Sequence, residues 1–134
     1  MKNEDKQLLL KDLCARLPYG VKVESVFINP DTKERKPCGI EVFNATCLLM
    51  IRDGLGEFKP YLRPMHSMTE DEKCEYNRLR DEVPTFHYEW GDVVEDMELH
   101  DNWGSIDYLI ANHFDYRGLI PMGLANNAVG LNIY

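Results

Sequence analysis

Apolar residues recur along the chain with two different periods. Leu10, Leu13, Cys14 and Leu17 stand at i, i+3, i+4 and i+7, with Lys6, Lys11, Asp12 and Arg16 elsewhere on the wheel. That spacing predicts an amphipathic helix over residues 3–17, ended by Pro18 and Gly20. From Val21 the period falls to two. VKVESVFIN is rich in β-branched residues, NPDTKE has turn composition, and KPCGIEVF returns as a second strand. TCLLMIR is apolar on both faces and is expected as a central strand. DGLG then reads as a hairpin turn into FKPYL, where Pro60, unable to donate to a ladder, points to an edge strand. The short connections favour an antiparallel meander covered on one face by the first helix.

In the second half, Ser67 and Thr69 each stand three residues before a glutamate, a doubled capping-box signal for a surface helix over residues 70–81 with Cys74, Tyr76 and Leu79 as its apolar side chains. TFHYEW alternates as a fifth strand would, with Phe86, Tyr88 and Trp90 inward, and GDVVEDMELHDNWG reads as a short helix or a loop. After a Ser105 cap, Ile106, Leu109, Ile110 and His113 repeat the helical stripe, and the apolar Ile106, Leu109, Ile110 and Phe114 are expected to be buried. Asp115 is expected to begin a tight turn by accepting N–H bonds from Arg117 or Gly118, and Pro121 to stop any helix there. The expected fold is α+β: one globular domain over residues 1–134, with an antiparallel sheet of four to five strands packed against an N-terminal helix and further helices in the C-terminal half.

Composition fits that reading. A chain of 134 residues that is 44% hydrophobic and 28% charged can build a core without staples. The N-terminus has no apolar signal region, and no apolar run approaches the roughly 20 residues that span a bilayer, so a soluble cytoplasmic protein with no membrane partner is expected. Cys14, Cys38, Cys47 and Cys74 are irregularly spaced without CxxC and are expected as free, mostly buried thiols of a reducing compartment. The net charge of -8 is concentrated: residues 70–101 hold 3 basic and 12 acidic residues. Such a chain lacks the basic stripe that direct nucleic-acid backbone binding requires, whereas its acidic block suits a basic protein partner.

KPYLRPMHSMTEDE (59–72), IDYLIANHFDYRGLIPMGLA (106–125) and LLLKDLCARLPYGVKV (8–23) resemble a family of small uncharacterised proteins of gut Bacteroidales and their phages or prophages. The resemblance spans most of the chain and implies a bacterial host-cell setting. That family has no established activity, so no catalytic residue carries over. Pro121-Met122 stands where the family pattern leads one to expect a charged, helix-favouring pair.

Candidate chemistry is sparse. His87 with Glu89, His100 with Asp101, and His113 with Asp115 are residue types that bind divalent metals or exchange protons near neutral pH, but their spacing is generic and no HExxH, CxxC pair or phosphate loop accompanies them. His113, near a helix C-terminus, reads as a structural histidine that the helix dipole would favour as imidazolium. Cys14 and Cys47 fall on predicted core faces, and no serine sits in a GxSxG elbow. Arg63 and Arg117, beside Tyr61 and Tyr116, have the chemistry to clamp a carboxylate or phosphate or to pair internally with Asp115 or the acidic block. Tyr61, Arg63, Trp90, Tyr116 and Arg117 are the candidate binding residues. No metal or cofactor is implied. The leading expectation is a non-enzymatic accessory protein of a phage or mobile element that contacts another protein through residues 70–101. The alternatives are a small metal- or His/carboxylate-dependent hydrolase or nuclease-like enzyme, and an acidic nucleic-acid mimic.

Overall fold

A computed structural model describes residues 2–81 and 103–134. Helix α1 (Asn3–Arg16) runs into a 3-10 turn at Leu17–Tyr19, and strands β1 (Lys22–Ile28) and β2 (Arg35–Val42) follow. Next come helix α2 (Ala45–Arg52), strand β3 (Gly56–Leu62), helix α3 (Glu70–Asp81), helix α4 (Trp103–Ala111) and the two-residue strand β4 (Asn126–Asn127). The fold is α+β, with sheet order β2-β1-β3-β4, antiparallel except for the parallel β3–β4 pair. No helix among the described residues is long and apolar enough to cross a membrane.

The meander expectation fails at TCLLMIR, which is α2. A short run apolar on both sides has no period that separates strand from helix, so its flanks decide. Asn44 caps the helix by accepting from the Cys47 N–H, and Gly54, at φ 71°, closes it, with its N–H on the Ile51 carbonyl and the Leu55 N–H on that of Met50. DGLG is therefore a helix C-cap. With that strand gone, β3 pairs back onto β1, which becomes central.

Pro60 consequently sits inside the sheet, opposite Val23, with β1 on one side and β4 starting at the next residue on the other. The Ile28 N–H bonds the Leu55 carbonyl, which fixes the alternation of the β1–β3 ladder: Gly56, Phe58 and Pro60 turn their backbone groups away from β1. The missing proline donor thus falls on the outer side, just short of β4. The predicted strand TFHYEW and most of GDVVEDMELHDNWG lie outside the described residues.

Helix α1 is rotated from its expected phase. Leu13 is buried as expected, but Asp12 and Arg16, both 0% exposed, flank it in the interior, while Leu10 and Cys14 face solvent. Arg16 Nε donates to Asp12 Oδ2 at 2.8 Å and Arg16 Nη2 to the Phe114 carbonyl at 2.6 Å. A hydropathy wheel counts each side chain as polar, but an i,i+4 pair with mutually satisfied charges can enter a core. Around it the core of the described residues falls into two clusters. One joins Leu13, Val21, Val23, Phe43, Cys47, Phe58, Leu62 and Leu119; the other joins Met68, Tyr76, Leu109 and Phe114.

In the second half, Thr69 is the true cap of α3: its Oγ1 accepts from the Glu72 N–H at 3.2 Å, and Glu72 Oε1 accepts from the Thr69 N–H at 2.9 Å. Ser67 donates instead to the Pro64 carbonyl, and Ser105 is buried within α4 rather than capping it. Leu109, Ile110 and Phe114 are buried, and Ile106 is half-buried. Of the cysteines, all free, Cys47 is buried and Cys14, Cys38 and Cys74 are exposed, which corrects the expectation of mostly buried thiols.

Two outcomes are expected. Asp12→Ala should lower stability in urea denaturation by about 3–5 kcal/mol, because it strands the Arg16 charge, whereas Lys11→Ala, on the exposed face, should stay within about 0.5 kcal/mol. Thiol titration of the native protein should find Cys14, Cys38 and Cys74 reacting quickly and Cys47, whose thiol burial pushes above its ordinary pKa, reacting only on unfolding.

Candidate functional site

The motifs singled out in the sequence converge, but on one another. Beyond the point where the chain turns into β1, the 113–115 segment lies beside β3: the Arg63 N–H bonds the His113 carbonyl and the Asp115 N–H bonds the Arg63 carbonyl, each at 2.8 Å. The Arg63 guanidinium grips Glu72 through both nitrogens, at 2.8 and 2.6 Å, and lies 4.1 Å over the Phe114 ring. That bond, together with the Thr69 cap, holds the Glu72 carboxyl below its ordinary pKa. The capping glutamate thereby ties α3 to the sheet.

Among the described residues Arg117 pairs with neither Asp115 nor an acid of α3. Its Nε stands 3.2 Å from Asp12 Oδ1, so Asp12 lies between two guanidiniums, and Arg16 and Arg117 approach the Tyr116 ring at 5.8 and 4.8 Å. Asp115 is buried and structural, but its carboxylate accepts from the Leu119 and Ile120 N–H groups, at 2.8 and 2.9 Å, two residues beyond the expected donors. The turn is wider because Gly118, at φ 74°, carries the chain past the carboxylate before it folds back. Tyr61 is buried, with its hydroxyl donating to Glu24 at 3.4 Å. Four of the five candidate binding residues, Tyr61, Arg63, Tyr116 and Arg117, are thus engaged within the fold. Trp90, His87 and His100 lie outside the described residues.

His113 closes α4. At φ 66° it occupies the left-handed C′ position, with its N–H on the Ile110 carbonyl and the Phe114 N–H on that of Leu109. Its ring stacks on Tyr134 at 3.7 Å. Burial, helped by Arg16, Arg63 and Lys22, lowers its pKa to about 4, so it is neutral rather than the imidazolium expected from the helix dipole. The Tyr134 hydroxyl, pushed up to about 12 by burial, accepts from the Lys22 N–H at 2.8 Å and donates to the Tyr61 carbonyl at 2.7 Å. It bridges β1 and β3 where their ladder ends, a role that no local pattern around Tyr134 announces. Among the described residues no group of three or more His, Cys, Asp or Glu is placed to hold a metal ion.

Among the described residues, a surface groove of about 630 Å³ has room for a ligand. Leu9, Leu10 and Leu13 of α1, Val26 and Ile28 of β1, and Phe58 and Leu124 give it an apolar lining, and Lys6, Glu24, Arg35, Glu57 and Lys59 bring charge of both signs to it. Gly54, Gly56 and Phe58 also line it, so it follows the outer side of β3 ahead of β4. There the outward backbone groups of Gly56 and Phe58 have no strand partner among the described residues. Sequence reasoning missed this site because its residues come from distant segments and share no motif.

His113 makes stability pH-dependent. Its folded pKa of about 4 lies below the ordinary 6.5, so the unfolded chain takes up the proton first; the contribution is whole above about pH 6.5 and is lost as pH falls through about 4. His113→Asn, which tolerates the left-handed position, should flatten the acid limb of the stability–pH curve measured by chemical denaturation. Asp115→Ala should cost about 1–3 kcal/mol and Asp115→Asn less, since one acceptor oxygen remains.

Comparison with protein-family models, curated proteins and solved structures finds no match to this chain.

Proposed function

We propose that this chain is a non-enzymatic protein-interaction module, the accessory factor of a phage or mobile element that its sequence resemblance suggests, and that it holds an extended segment of its partner in the groove beside β3. The observation that carries this reading is the apolar groove set along a stretch of sheet edge that has no strand partner among the described residues. Extended peptides bind such edges through backbone hydrogen bonds and gain specificity by seating alternate side chains in neighbouring pockets. Arg63, Asp115 and Arg117, by contrast, are committed to internal partners.

Charge adds a second element. Residues 70–101 carry a net charge of -9 (3 basic against 12 acidic), and such a segment steers a basic partner towards the molecule. In α3 part of that charge is met internally, Glu72 by Arg63, Glu70 by Lys73 and Glu75 by Arg78, while Asp71 is exposed. Steering therefore belongs to the acidic segment, and grip to the groove.

The test is selection of peptides from a random library against the whole chain, followed by NMR mapping. Bound peptides should shift the amides of Gly56, Phe58 and Leu10, and Leu10→Asp should weaken them by about tenfold or more, as loss of a well-packed apolar anchor does. Selected peptides that shift other surfaces, or that bind Leu10→Asp equally well, would overturn the groove reading.

A further inference from the structure

We infer that β2 is a self-association edge, along which two copies of this chain pair antiparallel into one continuous sheet. All eight residues of Arg35–Val42 are exposed, and β2 ends the sheet, with β1 on its inner side and no described strand on its outer side. Ile40 and Val42, 51% and 47% exposed, place large apolar side chains on that rim.

The ladder identifies the free backbone groups. The Phe43 N–H bonds the Val21 carbonyl, so Ile40 and Val42, three and one residues off that phase, turn their own N–H and C=O groups outward. At the other end the Asn29 N–H bonds the Glu34 carbonyl, which turns Arg35 and Pro37 outward. The phase changes between these halves because Cys38 is an extra residue: Ser25 faces Gly39 while Val26 faces Pro37. The bulge gives β2 an outward pattern that is its own mirror about Cys38 and Gly39.

Two such strands, antiparallel and centred there, set Arg35 against Val42 of the second copy and Pro37 against its Ile40. The first pair can exchange both backbone bonds, and in the second the Ile40 N–H reaches the Pro37 carbonyl. Lys36 then faces Glu41 of the second copy, twice by symmetry, so the register that matches the backbone also matches the charges. A free edge is usually guarded by charge and proline. Here the proline falls opposite a residue whose N–H still finds a carbonyl, and the lysine falls opposite a glutamate. Self-complementarity favours a second copy over an unrelated strand.

Sedimentation equilibrium of the full chain across a wide concentration range should show a monomer–dimer equilibrium. Lys36→Glu and Glu41→Lys, each placing like charges opposite one another, should each raise the dissociation constant about tenfold or more, and the double variant should restore it. The double variant also separates loss of pairing from loss of folding. Mild oxidation should cross-link the dimer through Cys38, close to its twin at the symmetry axis, and Cys38→Ser should abolish the cross-link. A chain that stays monomeric throughout, a dimer insensitive to both charge reversals, or a double variant that folds but does not recover would each overturn the proposal.

Discussion

The buried ion pair of Asp12 and Arg16 is the constraint on which the rest of the structure depends. Removing two charges from water is costly, and their mutual attraction offsets the cost only when the remaining donors and acceptors also find partners. Here further partners lie about a hundred residues away: Arg16 Nη2 donates to the Phe114 carbonyl, and Arg117 stands in ion-pair range of Asp12 Oδ1 without a hydrogen bond, leaving that oxygen and Arg16 Nη1 without hydrogen-bond partners among the described residues. The first helix can bury this face only if the 114–117 segment has arrived, and that segment loses its charge partner if the helix is absent.

The same segment carries a second tie. Arg63 lies over Phe114 while holding Glu72, which also caps α3. One phenylalanine therefore sits against an arginine side chain and accepts through its carbonyl from another arginine, with a helix cap attached through Glu72. Tyr134 completes the junction by stacking on His113 and bridging the ends of β1 and β3. Polar side chains that in isolation resemble a binding site here act as the joint between the two apolar clusters, which is why the functional proposals rest on the groove and on β2.

Much was legible in the sequence where one segment's own pattern sufficed. The helix over 70–81, the strands either side of NPDTKE, the stripe of Leu109, Ile110 and Phe114 and the structural role of Asp115 all follow from local periodicity, capping and turn chemistry. Misreadings arose where a local pattern was ambiguous. TCLLMIR has no usable period, and the phase of α1 was set by counting Asp12 and Arg16 as solvent-facing, which is correct for each side chain alone and wrong for the pair.

The sequence by itself determined the α+β class, most element boundaries and the absence of a recognisable catalytic motif, because these depend on residues within a few turns of one another. Tertiary structure alone decided which strand is central, which charges are buried and which candidate residues remain available to a partner. Each of those depends on contacts between distant segments: Arg16 with Phe114, Arg63 with Glu72 across a turn, Tyr134 with the ends of two strands. A linear pattern records what a residue prefers in water or in a core, but not whether a partner for its charge will be waiting when the chain closes.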